Sequence, residues 1–134
     1  MKKKLALVTG GGGGLGAAIC ERADALGYRV IVVDQHLEPA QAVSKRLRDS
    51  RAEQLDVTQE ADVEALLNRL GEVPDVLVNN VGHFGGPRRA FHEQGDEEWD
   101  DLYRVNLGHV LTCTRAVIAD LVGRGAPGSI VNIS

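Results

Sequence analysis

The nine residues Val8-Thr9-Gly10-Gly11-Gly12-Gly13-Gly14-Leu15-Gly16 limit the possible fold more than any other segment. They follow a short apolar stretch and precede an apolar helical pattern, which places a glycine-rich turn between a strand and a helix N-terminus. Glycine reaches positive φ and lets a ligand approach the backbone without meeting a Cβ. The free N–H groups of such a turn and the positive end of the helix dipole face an anion. Strand, phosphate cradle and helix in that order imply a nucleotide-binding α/β unit.

The rest of the chain repeats the alternation. Apolar runs recur at Leu5 to Thr9, Arg29 to Asp34, Ala52 to Val57, Asp75 to Asn79 and Ser129 to Ile133. The β-branched stretch Val30-Ile31-Val32-Val33 reads as a strand covered on both faces, the habit of parallel sheets with helices above and below. Helical patterns fill the intervals: Leu15 to Leu26, closed by Gly27; Pro39 to Arg48; and a third from a Thr58 N-cap to Arg69-Leu70-Gly71. The longest, Glu97 to Val122, carries two apolar stripes. Trp99, Tyr103, Val110, Cys113, Val117 and Leu121 can cover the sheet, whereas Leu107, Leu111, Ile118 and Val122 call for a second covering surface. The pattern predicts a doubly wound parallel sheet of about five strands between two helical layers. Its 134 residues suit one domain over positions 1–134.

A formal charge of −4 argues against a nucleic-acid surface. Cys20 and Cys113 read as reduced thiols, and no metal-ligand spacing occurs. Lys2, Lys3 and Lys4 start like a signal peptide, but the apolar run Leu5 to Val8 is too short to complete one. No stretch reads as long enough to span a bilayer, so no membrane partner and a cytoplasmic location are expected.

The glycine run alone is not specific, because it fits GxGxxG at Gly11, Gly13 and Gly16 and TGxxxGxG at Gly10, Gly14 and Gly16. Asp34 adds more. It closes the second strand 18 residues after Gly16, where an acid can hydrogen-bond both hydroxyls of an adenosine ribose and repel a 2′-phosphate. Neither Gln35 nor the glycine loop offers a cation, so NAD is favoured over NADP, although a turn aspartate also explains the residue. Asp56-Val57 ends the third strand and Asn79-Asn80-Val81-Gly82 the fourth. Ligands of open α/β sheets sit outside the carboxyl ends of the strands, so these residues share a crevice with Gly10 and Asp34.

In order and spacing, these motifs resemble the short-chain dehydrogenase/reductase family. The resemblance continues through Trp99, Val105-Asn106-Leu107, Thr114-Arg115-Ala116 and Gly128-Ser129-Ile130-Val131-Asn132-Ile133-Ser134, and covers the whole chain. It implies a Rossmann-type sheet of order 3-2-1-4-5 and an NAD-dependent oxidoreductase that transfers hydride between an alcohol/carbonyl pair and nicotinamide. By the same resemblance Gly10, Gly13, Gly14, Leu15 and Gly16 cradle the cofactor and Asp34 holds the ribose. Asp56 and Val57 meet the adenine, while Asn80, Val81 and Gly82 line the cofactor path. Asn106 resembles the catalytic asparagine that bends the long helix and holds a water in a proton relay. A small alcohol or carbonyl substrate and a homo-oligomer, dimer or tetramer, are implied as well.

The match has a gap. Ser134 resembles the first of a serine pair whose second member is the active one. The family's YxxxK pair has no counterpart, since Tyr28 is followed at that spacing by Val32 and Tyr103 by Leu107. The expectation is an NAD-binding part truncated before the catalytic Ser and YxxxK segment, inactive by itself. A non-catalytic NAD-binding fragment or subunit is the alternative. An S-adenosylmethionine-dependent methyltransferase is more remote, because Thr9 stands where such enzymes tend to carry an acid. The segment His83 to Arg89 is placed to border a substrate, with Arg88 or Arg89 available to an anion.

Overall fold

The apolar runs become one parallel sheet in the computed structural model, which describes residues 1–134. Its strands are β1 (Leu5–Thr9), β2 (Arg29–Asp34), β3 (Ser50–Gln54), β4 (Val76–Asn79) and β5 (Ser129–Asn132), in the order β3-β2-β1-β4-β5. The helices are α1 (Gly14–Ala25), α2 (Leu37–Ser44), α3 (Glu60–Leu70), α4 (Asp96–Tyr103) and α5 (His109–Arg124). The expected doubly wound, three-layer arrangement is the observed one. Along β2, Val30 and Val32 pack with Ala17 and Cys20 of α1 and Ala40 and Val43 of α2. Ile31 and Val33 turn to the other face, against Leu66 of α3 and Cys113, Val117 and Leu121 of α5. Both faces are apolar, which is why the run lacks alternation. Burial on either side pushes the Cys20 and Cys113 thiols up to about 12, so neither is a ready nucleophile.

Several boundaries differ from the sequence expectation for identifiable reasons. β3 ends at Gln54, not Val57, because its register with β2 runs out where Asp34 pairs with Gln54. Leu55 gives a last bond to the Asp34 carbonyl, and it and Val57 continue the apolar signal by packing into the core. α2 starts at Leu37 and stops at Ser44, where the Leu47 N–H and the Ser50 hydroxyl both take the Ser44 carbonyl. Thr58 does not cap α3; its hydroxyl is drawn back to Asp56, and Gln59 occupies the cap. β5 is an edge strand with Val131 and Asn132 exposed, so the last apolar run is covered far less than the others.

The expected single helix from Glu97 to Val122 is two helices joined by a π-helical turn at Arg104–Gly108. Of its first apolar stripe, Cys113, Val117 and Leu121 are buried on the sheet together with His109, whereas Trp99 and Tyr103 are exposed and Trp99 stacks on Phe91 at 5.2 Å. The second stripe, Leu107, Leu111, Ile118 and Val122, lies open. Contrary to expectation, the continuous 29-residue rod Asp96–Arg124 is long and apolar enough to cross a bilayer by length and composition. Its packing on the sheet makes it the covering helix of an α/β layer, whose inner stripe gives the same signal.

Candidate functional site

The strand order reverses between β1 and β4, and the cleft opens at the carboxyl ends there. Two glycines fold the first loop into it. Gly10 adopts φ +61°, and a Cβ there would overlap the Asn80 carbonyl. A Cβ on Gly16 would overlap the Gly10 carbonyl, so the first turn of α1 can sit on the end of β1 only with glycine at this position. Gly11 donates to the Val33 carbonyl at 2.9 Å and Gly12 to Asp34 Oδ2 at 3.0 Å. The first helical bond is Ala17 N–H to Gly13 O, which leaves the amides of Gly13, Gly14, Leu15 and Gly16 without a protein acceptor. These four donors at a helix N-terminus suit an anion.

Asp34 stands at the end of β2 with both oxygens fixed. Oδ2 accepts from Gly12, and Oδ1 accepts from the His36 N–H at 3.0 Å. The turn role and a ribose role are therefore compatible, because each carboxylate oxygen keeps a further lone pair. Across the reversal, buried Thr9 accepts from the Asn80 N–H at 3.0 Å while its hydroxyl donates to the Val78 carbonyl. Asn80 Nδ2 returns a bond to the Gly10 carbonyl at 3.3 Å. Fully buried Asn79 donates to Thr114 Oγ1 and Asn132 Oδ1, tying β4 to α5 and β5.

Asp56 lies just beyond β3. Burial pushes its carboxyl up, but the hydroxyl and amide of Thr58 and the charge of Arg104 outweigh that and hold it below the usual carboxylate range. Arg104 reaches across from the π turn, donating to Thr58 Oγ1 at 2.9 Å and to Asp101 at 3.2 Å. Asn106 sits in the same turn. Its Oδ1 accepts from the His83 N–H at 3.0 Å, and its Nδ2 donates to the His83 and Leu102 carbonyls at 2.9 Å each. The side chain thus holds the segment after Gly82 against a helix whose own backbone bonds are out of α register.

One cleft of about 540 Å³ gathers nine of the expected residues: Gly10, Gly13, Leu15, Asp34, Asp56, Val57, Asn80, Val81 and Gly82. Gly14 and Gly16 do not line it with their own atoms: Gly14 is exposed at φ +53°, and Gly16 packs against the Gly10 carbonyl. Asn106 lines the adjoining cavity, which shares Gly82 and His83 with the cleft. Sequence reasoning missed Thr58 and Arg104, which also line the cleft. Nothing in the local sequence marks Arg104, because only the π turn and the long-range bond to Thr58 bring it there.

The reversed parallel sheet, the glycine cradle and the acid closing β2 define a Rossmann-type α/β protein. A sequence model of the short chain dehydrogenase family matches residues 4–134. D-xylose 1-dehydrogenase of Caulobacter vibrioides is 32% identical over 136 residues, covering 98% of this chain and 53% of that relative. The 3-oxoacyl-[acyl-carrier-protein] reductase FabG of Escherichia coli is 36% identical over 135 residues, covering 97% of this chain and 54% of the reductase. Among solved structures, a short-chain dehydrogenase from Streptomyces avermitilis superposes with a TM-score of 0.86 at 34% identity, over 100% of this chain and 50% of that one. The chain belongs to the short-chain dehydrogenase/reductase family, whose members are oxidoreductases that bind a nicotinamide cofactor, NAD or NADP. It spans about half the length of the curated relatives it matches.

Proposed function

We propose that this chain is the cofactor-binding part of an NAD-preferring oxidoreductase that exchanges hydride between a small alcohol/carbonyl substrate and nicotinamide. What supports the preference is Asp34, held at the cleft by two backbone donors while the cleft's one guanidinium, Arg104, is already engaged with Thr58 and Asp101. A 2′-phosphate would meet a fixed carboxylate and no free cation.

The donor set fits the cofactor. The amides of Gly13 to Gly16 would hold the diphosphate, Asp34 the adenosine ribose, and Asp56 and Val57 the adenine wall. Asn80, Val81 and Gly82 would line the path toward Asn106. The bound nicotinamide supplies the hydride chemistry. Asn106 acts by position, because its amide is fully committed to His83 and Leu102 and keeps the π turn open beside Gly82. No tyrosine–lysine pair of the YxxxK kind is present, so proton transfer to the substrate oxygen falls to residues outside these 134. The open stripe Leu107, Leu111, Ile118 and Val122 supports self-association into a homo-oligomer, and two buried free thiols support a cytoplasmic setting.

The test compares this chain with a version extended through its natural C-terminus, following NADH production from a panel of alcohols, diols and ketones, with NAD binding by each measured calorimetrically. The expected result is NAD binding by both and turnover by the extended form alone. Turnover by the short chain would overturn the assignment of proton transfer, and failure of both to bind NAD would overturn the cofactor assignment.

A further inference from the structure

Beyond the cofactor cleft, a second cavity of about 860 Å³ opens on the far side of Gly82 and His83, with Asn106 in its wall. Its charged lining is Arg88 and Arg89, and no Asp or Glu lines it. The nearest acids belong to α4: Glu98 and Asp101 line a smaller adjoining cavity that shares His83, Phe84, Pro87, Gln94 and Leu102 with it, and they are engaged there with Arg89 and Arg104.

The two arginines differ. Nine of the 11 arginines, Arg89 among them through Glu98 at 3.7 Å, have a carboxylate partner within salt-bridge distance. The exceptions are Arg22, in the last turn of α1 where the helix dipole favours a cation, and Arg88. Arg88 lies over the Phe84 ring, its guanidinium carbon 5.7 Å from the centroid. Held near an exposed ring and without a carboxylate partner, the guanidinium keeps N–H donors for a ligand, and a carboxylate can take two of them through parallel bonds.

We propose that Arg88 is the anion subsite of the substrate pocket, and that the alcohol or carbonyl compound processed here carries a carboxylate. This rests on the oxidoreductase reading, since it makes the second cavity the seat of that reaction's substrate. A single free guanidinium matches a monoanion, and its position beyond Asn106 places the carboxylate at the end of the substrate away from the cofactor.

Trp99, the only tryptophan, supplies the readout. Its Nε1 donates to Gln94 Oε1 at 3.1 Å, and Gln94 lines the cavity, so filling the cavity alters the indole's environment. Lactate and glycerate should quench Trp99 fluorescence saturably, and their methyl esters should do so far less. Arg88→Gln should weaken the acids by roughly 10- to 100-fold and the esters little. Arg88→Lys, which keeps the charge and loses the fork, should fall between, and Arg22→Gln should change nothing. Circular dichroism confirms that the variants fold. Esters equal to acids, an Arg88→Gln variant that binds acids normally, no saturable quenching, or glycerol phosphate preferred over the carboxylates would each overturn the proposal. NAD calorimetry on the same samples separates the two readings. NAD binding without a carboxylate effect sinks the anion subsite, and a carboxylate effect without NAD binding upholds the subsite and sinks the cofactor reading.

Discussion

Replacing Asp34 by asparagine separates charge from shape at the cofactor's adenosine end. Each carboxylate oxygen already accepts one backbone bond, from Gly12 and from His36, both at 3.0 Å. Asparagine offers one oxygen and one NH2, so one of those two amides must face a donor. The folded state then loses about 1–3 kcal/mol, the cost of one unsatisfied group. On the NAD side, the two hydroxyl bonds lose their charge assistance. With charged hydrogen bonds worth about 1.5–3 kcal/mol and neutral ones about 1, affinity falls by roughly 10- to 100-fold.

The NADP side moves the other way. Two like charges about 4 Å apart repel by about 4 kcal/mol near a protein surface, and salt with partial exposure reduces that to about 2. Removing the charge therefore strengthens NADP by roughly 30-fold, and the NAD-to-NADP affinity ratio shifts by about three decades in total. Asp34→Glu keeps the charge while displacing the carboxylate, so it should weaken NAD without admitting NADP. Calorimetric titration of both cofactors against the three proteins, with a thermal melt of each, reads all of these effects. A native protein that binds NADP as tightly as NAD, or an asparagine variant with an unchanged ratio, would refute the reasoning.

Asn106→Ala removes two hydrogen bonds between the π turn and His83 and a third to the Leu102 carbonyl, and should cost about 1–2 kcal/mol in urea denaturation, partial exposure offsetting the rest; an unchanged midpoint would show that the turn holds itself. His109 is almost wholly buried with Nδ1 unpartnered, and burial keeps its imidazole below the ordinary value, against the pull of carbonyls at Val81 and Asn106. The unfolded chain therefore takes up the proton first, so His109's contribution is complete above about pH 6.5 and is lost as pH falls from there toward the folded value; His109→Leu should flatten that slope in denaturant midpoints measured from pH 5 to 8, and a slope left intact would place its origin elsewhere. Val122→Lys, on the open stripe, should lower the mass seen by light scattering at high concentration, and a native chain already monomeric there would show that the stripe drives no association.

The sheet was legible because both its causes are local. Val30 to Val33 must be covered on two faces, and glycine before an apolar helix can only be a turn at a helix N-terminus. Asp34 was legible for a related reason, since the length of one strand–helix–strand unit fixes where the second strand ends relative to the cradle. The role of Thr58 is not legible locally, because capping a helix and bonding a neighbouring aspartate use the same hydroxyl, and the presence of Arg104, 46 residues later, favours the second. The burial of His109 is not legible either, because a histidine among apolar residues carries no signal of which way it faces. Arg88 was paired with Arg89 as a candidate for an anion, and the structure separates them through a glutamate that sequence order does not bring near.

The error in the long helix and the placement of Asn106 have one cause. Reading Trp99 and Tyr103 onto the same stripe as Cys113, Val117 and Leu121 assumes a constant rotation of about 100° per residue. A π turn inserts one residue into that count and rotates everything before it by about the same angle. Trp99 and Tyr103 are accordingly carried off the sheet, to 41% and 57% exposure, while Cys113, Val117 and Leu121 stay buried. The insertion also shifts the backbone bonds out of α register, and the Leu102 carbonyl takes the Asn106 side-chain amide, four residues on. An asparagine with one amide donor on Leu102 and its remaining groups on His83 therefore converts a packing irregularity of the helix into a fixed position for the chain after Gly82. That position is the wall shared by the cofactor cleft and the Arg88 cavity, so the residue that defeats the periodicity is the one that joins the two halves of the site.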